Sequence, residues 1–421
     1  MKEIELVGLD KKVYTEKLNN GLEIYLIPYD NKKNYYISYA TRYGSDINCF
    51  KANDKEYNPP LGVAHYLEHK MFEEESGLDP FEFFSKTGTD SNASTSYDNT
   101  QYICNGNKNF KENLRYLIKF VNKPFFTDEN VEKEKGIISE EIKMYRDIPD
   151  YKLEMQLREC IYHNSPRRID IAGTVEEINK ITKEDLYSCY NNFYSPNNMF
   201  ILITGNFNKD EALDVIKEEL NEKQNKPSPE IITKTEPTKV NIPFFILEEN
   251  IDIQKIGMGI KIPREIFKQK DMELELYLEI FSKMIFGPSS SFRERTRNNK
   301  LLNDIYTELE VTKDLIVYYL YATSTKADDL INEIKKELIA MKLDKQDFER
   351  AKKVLIANEV KVTDNLERMH NSIFDDIVRF RKIFPNRIDM IKRLNFNVLK
   401  EIINKIDFEN KCIVKMTKKR D

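Results

Sequence analysis

No run in this chain approaches the ~18 apolar residues that a membrane-spanning helix needs. The opening residues, Met1-Lys2-Glu3-Ile4-Glu5, hold no apolar core of signal-peptide length. Neither sign of charge is in excess: 66 basic residues stand against 71 acidic ones, a formal net charge of −5. That balance argues against a dedicated nucleic-acid binder, which would show a basic face or domain. Arg293, Arg295, Arg297 and Lys300 form a conspicuous basic stretch, read as a solvated helix face. The five cysteines (Cys49, Cys104, Cys160, Cys189, Cys412) are odd in number and contain no CxxC pair. In a chain of this length they imply reduced thiols and a cytoplasmic protein rather than a disulfide framework. Histidine is scarce, with four residues in 421.

What remains is the composition of a soluble globular protein, 40% hydrophobic and 33% charged. The length suggests two or three domains. Strand-like stretches at 22–28 and 35–43 precede a helical one at about 60–74, started by Pro59 and Pro60. Residues 91–104 return to β-type composition. Helical patterns follow at 109–122, 128–147, 182–193 and 209–222, with a strand at 199–205 among them. From 223 to 243 Pro227, Pro229, Pro237 and Pro243 punctuate a polar linker. Beyond it the coarse order of elements repeats. The expected fold class is therefore α+β: two similar units, each a mainly antiparallel sheet with helices packed on it. The expected domains are 1–222, carrying the chemistry, and 244–421, joined by the linker 223–243.

Two of the four histidines stand in His65-Tyr66-Leu67-Glu68-His69. Positions i and i+4 share one helix face, so the two imidazoles can grip one metal ion. Glu68 shares that face, whereas Tyr66 and Lys70 point elsewhere. The alternative is two surface histidines with an incidental glutamate between them. A helical wheel over 131–145 weakens that alternative. It puts Val131, Ile137, Ile138, Ile142 and Tyr145 on one side, with Glu132, Lys135, Ser139, Lys143 and Arg146 opposite. Glu134 and Glu141 fall within the apolar face, and Glu140 at its edge. Carboxylates turned to a core are costly unless they meet a cation. The histidine helix lacks a third ligand and this helix lacks a cation. Two imidazoles, one carboxylate and an open position describe a catalytic zinc site. His65, His69 and Glu141 are the candidate ligands of one Zn2+ per chain, and Glu68 the candidate general base. Glu134 would orient a ligand histidine, or else pair with a buried lysine or arginine. His163 and His370 lack a second candidate ligand at helical spacing and are not expected to coordinate.

The HxxEH order is the inverted zinc motif. With Glu134–Ile142 (EKGIISEEI) downstream, the sequence resembles the pitrilysin/insulinase family of metallopeptidases, nearest to its short bacterial two-unit members. The resemblance is strong over 20–207 and only architectural beyond the linker. It implies that Glu141 is the third ligand. It also implies that Asn92, Ala93, Ser94 and Thr95 lie on an edge strand whose backbone pairs with an extended substrate, and Ile171–Thr174 resembles another family segment. The family carries an Arg and a Tyr seven apart in the second half, holding substrate and oxyanion. Alignment on Ile305-Tyr306 puts Thr296 and Asn303 there, so that pair is missing. The expected function is zinc-dependent endopeptidase acting on peptides or unfolded segments. A dimer is expected, in one form a heterodimer with a related chain that supplies the Arg/Tyr pair. A non-catalytic assembly subunit of the same fold, or a metal- or peptide-holding protein without turnover, would be the alternatives.

Overall fold

The computed structural model describes residues 1–29 and 32–419. Its strands are β1 (Lys2–Leu6), β2 (Lys11–Lys17), β3 (Glu23–Pro28), β4 (Tyr35–Thr41), β5 (Phe50–Ala52), β6 (Lys55–Tyr57), β7 (Asp90–Thr95), β8 (Thr100–Gly106), β9 (Met199–Gly205), β10 (Glu230–Ile231), β11 (Phe244–Glu249), β12 (Gln254–Pro263), β13 (Asp304–Val311), β14 (Leu315–Ser324) and β15 (Lys411–Lys418). The large sheets run in the orders β1-β2-β3-β9-β4-β8-β7 and β11-β15-β12-β14-β13. A small third sheet joins β10, β5 and β6.

The two large sheets repeat one plan. In the first, β3 pairs parallel with β9, and β9-β4-β8-β7 continue antiparallel. In the second, β11 pairs parallel with β15, and β15-β12-β14-β13 continue antiparallel. The order of elements after the linker thus repeats at the level of strand pairing, with β1 and β2 added to the first sheet.

The central strands of the first sheet are apolar almost throughout, because both faces are covered. Ile24, Leu26, Ile37, Tyr39, Ile201 and Ile203 alternate onto one face, in a core shared with the helices Val63–Lys70, Phe110–Val121 and Lys183–Phe193. Tyr25, Ile27, Ala40, Phe200 and Leu202 alternate onto the other, against Met369, Ile373, Phe374 and Ile377 of the helix Leu366–Phe380. In the second sheet, Val317, Tyr319 and Val414 pack against Leu153, Leu157 and Ile161 of the helix Pro149–Ile161. Two glycines on β12 admit that helix. A Cβ on Gly257 would come within 3.1 Å of Leu157 Cδ2, and one on Gly259 would collide with Ile161 Cδ1.

These two helices correct the domain boundaries read from sequence. Unit 1 comprises 1–143, 170–233 and 360–386; unit 2 comprises 144–169, 234–359 and 387–421. Residues 144–169 therefore belong with unit 2, and 360–386 with unit 1. The segment 223–243 is not a free linker either: β10 pairs with β5, and Glu236 accepts the backbone N–H groups of His163, Asn164 and Ser165. Among the described residues no helix is long and apolar enough to cross a membrane.

Candidate metal centre

The histidine helix (Val63–Lys70) begins where glycine is required. Gly62 caps it at φ +86°, and a Cβ there would strike the carbonyl oxygen of Ala172. The Ala172-Gly173 turn therefore seats the helix start, and the Glu177 carboxylate accepts the Leu61 N–H at 3.3 Å. His65 and His69 follow one turn apart, with ring centroids 4.6 Å from each other.

The helix Asp128–Arg146 brings the carboxylates. Its buried stripe is Val131, Glu134, Ile138, Ser139 and Ile142. The wheel is corrected at three places: Ile137 and Tyr145 are exposed, and Ser139 is buried. The stripe runs at i, i+3, i+7, i+8 and i+11 from Val131, a helical face that the wheel drew too far towards Ile137 and Tyr145. Glu141 Oε1 lies 3.8 Å from His65 Nε2, and its Oε2 3.3 Å from His69 Nε2. One ligand atom from each of the three lies within 4.8 Å of the others. Glu140 points outward, its side chain 75% exposed and ion-paired with Lys143 at 2.7 Å. Glu134 Oε1 is 3.1 Å from His69 Nδ1 and its Oε2 is 3.7 Å from Lys70 Nζ. Both partners considered for Glu134 are thus present at once. Glu68 Oε2 accepts the Thr95 hydroxyl at 2.5 Å.

Charge in the cluster is arranged for a cation. Burial, then the neighbouring His69, push His65 down to about 4, so its imidazole is neutral and its lone pair free. Burial also opposes charge on His69. Hydrogen bonds to Glu134 and Glu141 outweigh it and carry His69 up to about 9. An imidazolium between two carboxylates stands where positive charge is wanted. The hydrogen bond from His69, working against burial, holds Glu141 below the usual carboxylate range. Burial raises Glu68, against the hydrogen bond from Thr95 that lowers it. Two imidazole nitrogens and a carboxylate oxygen, with His65 already neutral and His69 able to give up its Nε2 proton as a metal binds, are a donor set that fits zinc.

Asn92, Ala93, Ser94 and Thr95 lie on β7, the outermost strand of its sheet, paired only with β8. Thr95 turns towards Glu68, while Ser94 accepts a hydrogen bond from Gln101 at 3.0 Å. The remaining histidines stand apart from this cluster. His370 lies buried between the Ser38 and Thr204 hydroxyls at 2.8 and 3.0 Å, and His163 contacts the Lys239 carbonyl at 3.2 Å. In unit 2, Arg293 is committed to Asp304 and the Ile305 carbonyl at 2.7 and 2.6 Å, and Arg295 to Glu337 at 2.7 Å. Thr296 is buried and returns its hydroxyl to Phe292 at 2.8 Å, whereas Asn303 and Tyr306 are exposed. Lys70 went unrecognised in the sequence because the wheel turned it away from the histidines. The one available signal was a lysine set between those histidines and the apolar Met71-Phe72.

Residues 39–175 match the family model described as Insulinase (Peptidase family M16), and residues 180–355 the one described as Peptidase M16 inactive domain. The "Uncharacterized zinc protease YmfH" of Bacillus subtilis (strain 168) is 33% identical over 421 residues, covering 97% of this chain and 96% of the relative. The chain belongs to the insulinase family, M16. Within M16, the crystal structure of a putative M16-like peptidase from Alicyclobacillus acidocaldarius is similar with a TM-score of 0.92 and 29% identity, covering 98% of this chain and 100% of that one. A chain of complex III2 from Candida albicans shares the M16 fold at 14% identity, with a TM-score of 0.77 over 96% of this chain and 95% of that one.

Proposed function

We propose that this member of a peptidase family is a zinc-dependent endopeptidase acting on extended peptides or unfolded segments. The observation that carries the proposal is the convergence of His65, His69 and Glu141 beside Glu68, itself tied through Thr95 to the sheet-edge strand β7. His65 and His69 would hold one Zn2+ through Nε2, and Glu141 through a carboxylate oxygen. Zinc, when bound, supplies Lewis-acid polarisation of the scissile carbonyl and lowers the pKa of a water to about 7. Glu68 takes the proton of the attacking water and passes it to the leaving nitrogen, a transfer worth ~10²–10⁴ in rate. The Thr95 hydroxyl fixes the rotamer of Glu68. β7 offers its open edge to an extended substrate, so that main-chain hydrogen bonds bind the peptide and the strand delivers it towards the base. Glu134 holds His69 by Nδ1, which leaves Nε2 free.

The same reading extends to a partner. Zinc ligands and base are present, but Thr296 and Asn303 occupy the positions of the family's Arg/Tyr pair, and Arg293 and Arg295 are spent on internal ion pairs. A related chain in a heterodimer would supply the missing donors, and losing one oxyanion donor costs ~10²–10³ in rate. The test is to purify this chain, measure zinc per chain, and follow cleavage of a quenched peptide alone and with a related chain carrying the pair. About one zinc per chain with activity that appears on pairing is expected. No zinc bound by His65, His69 and Glu141 overturns the metal assignment. Robust activity of the isolated chain overturns the partner requirement. Zinc without turnover in any pairing favours a non-catalytic subunit.

A further inference from the structure

We propose that Lys70 is a positioning residue for the metal centre, acting through Glu134 to fix the orientation of His69. The inference rests on the zinc reading above. Lys70 follows the second histidine directly, and its side chain is 0% exposed. An ammonium withdrawn fully from water is costly unless carboxylates compensate it. Two do: Glu73 Oε1 at 2.7 Å and Glu134 Oε2 at 3.7 Å. Neither contact has hydrogen-bond geometry.

The Glu73 contact is an ordinary pair three residues apart on one stretch of chain, and by itself would be a purely structural neutralisation. The Glu134 contact does something else. Glu134 belongs to another helix, and its two oxygens meet two different groups: Oε1 the Nδ1 of His69, Oε2 the ammonium of Lys70. A carboxylate hydrogen-bonded at one oxygen and drawn to a buried ammonium at the other has a preferred plane. Fixing that plane aims Oε1 at His69 Nδ1, keeps the proton on Nδ1, and presents Nε2 towards Glu141, 3.3 Å away. Without the ammonium, Glu134 would be a nearly buried anion held at one oxygen only and free to rotate. Lys70 touches neither substrate nor reacting atoms, so its effect is on ligand orientation.

The test uses the full chain and two probes, Zn2+ and Co2+, with affinity read by chelator competition and the Co2+ visible spectrum as a report on ligand geometry. Lys70→Met should weaken both metals about 10- to 100-fold, the range found when a group supporting a ligand histidine is removed. Because that variant leaves Glu73 without its counter-ion and Glu134 with His69 alone, Lys70→Met with Glu73→Gln is the decisive form: charge is balanced and the chain should fold. It should still lose at least about tenfold in affinity and show an altered Co2+ spectrum, while Glu73→Gln alone stays within about twofold of the parent. In a Glu134→Gln background, adding Lys70→Met should change affinity by less than about twofold, since the path through Glu134 is already cut. The inference is overturned if the Lys70→Met/Glu73→Gln chain keeps its affinity within about threefold and only its thermal midpoint falls. It is also overturned if the losses from Lys70→Met and Glu134→Gln simply add. A parent chain that binds no zinc through His65, His69 and Glu141 would instead remove the metal reading itself.

Discussion

Replacing His370 by Gln should uncouple part of the acid sensitivity of unit 1. His370 is fully buried, with Nε2 2.8 Å from the Ser38 hydroxyl and Nδ1 3.0 Å from the Thr204 hydroxyl. Burial pulls its pKa from an ordinary 6.5 down to about 3. The folded state therefore refuses a proton that the unfolded chain accepts. For a group whose folded pKa is depressed, stability is complete above about 6.5 and falls away as the pH drops towards 3. Between pH 7 and pH 5 the difference in proton uptake amounts to about 2 kcal/mol, a roughly 30-fold change in the opening equilibrium. Glutamine carries a donor and an acceptor but does not titrate. Its fixed cost from imperfect hydrogen bonding is the same at both pH values and cancels. The assay is amide hydrogen exchange of the β4 and β9 segments, corrected for intrinsic rates, in parent and variant. The parent should lose roughly 30-fold more protection than the variant on going from pH 7 to 5. Equal losses would mean that His370 titrates in the folded unit and that its site is wetter than the geometry shows.

Glu68→Gln should keep about one zinc per chain and lose ~10²–10⁴ of the hydrolytic rate measured with whatever partner is required, because the ligands survive and the base does not. Loss of zinc in that variant would make Glu68 a ligand. His65→Ala or His69→Ala should empty the site, as metal analysis would show. Glu141→Gln should weaken zinc severely while Glu140→Gln leaves it intact, and the reverse pattern would exchange their roles. Gly259→Ala should lower thermal stability by ~1–3 kcal/mol, since the new methyl meets Ile161 and a packed core resists overfilling. An unchanged midpoint would show that the helix Pro149–Ile161 yields freely.

The centre was legible where its chemistry is local. His65 and His69 declare a shared face by their spacing, and Glu141 stands out, with Glu134, as a carboxylate on the helix side that the wheel makes apolar. Residues whose meaning depends on another segment were harder to place. Ile137 and Tyr145 look like core by type, yet the stripe that packs inward passes through Ser139. Lys70 sits outside the histidine face on a wheel, and only the approach of Glu134 from a second helix gives it a role. The helix Pro149–Ile161 escaped notice for the same reason. Its apolar face of Leu153, Leu157 and Ile161 answers to glycines on β12, about a hundred residues further on. Both sheets were expected from strand composition, but their common parallel pair depends on closure by the distant strands β9 and β15.

The assignment of Leu366–Phe380 to unit 1 has a temporal consequence. A ribosome delivers β9 about 160 residues before it delivers the helix that covers the Phe200–Leu202 face of that strand. At ~5–20 residues per second the delay is on the order of 10–30 s. Throughout that interval the first large sheet of the nascent chain has one uncovered side. Chaperone occupancy during synthesis should therefore rise once β9 emerges and decline only after Phe380. A polypeptide stopped at residues 223–243 would never complete the core of unit 1.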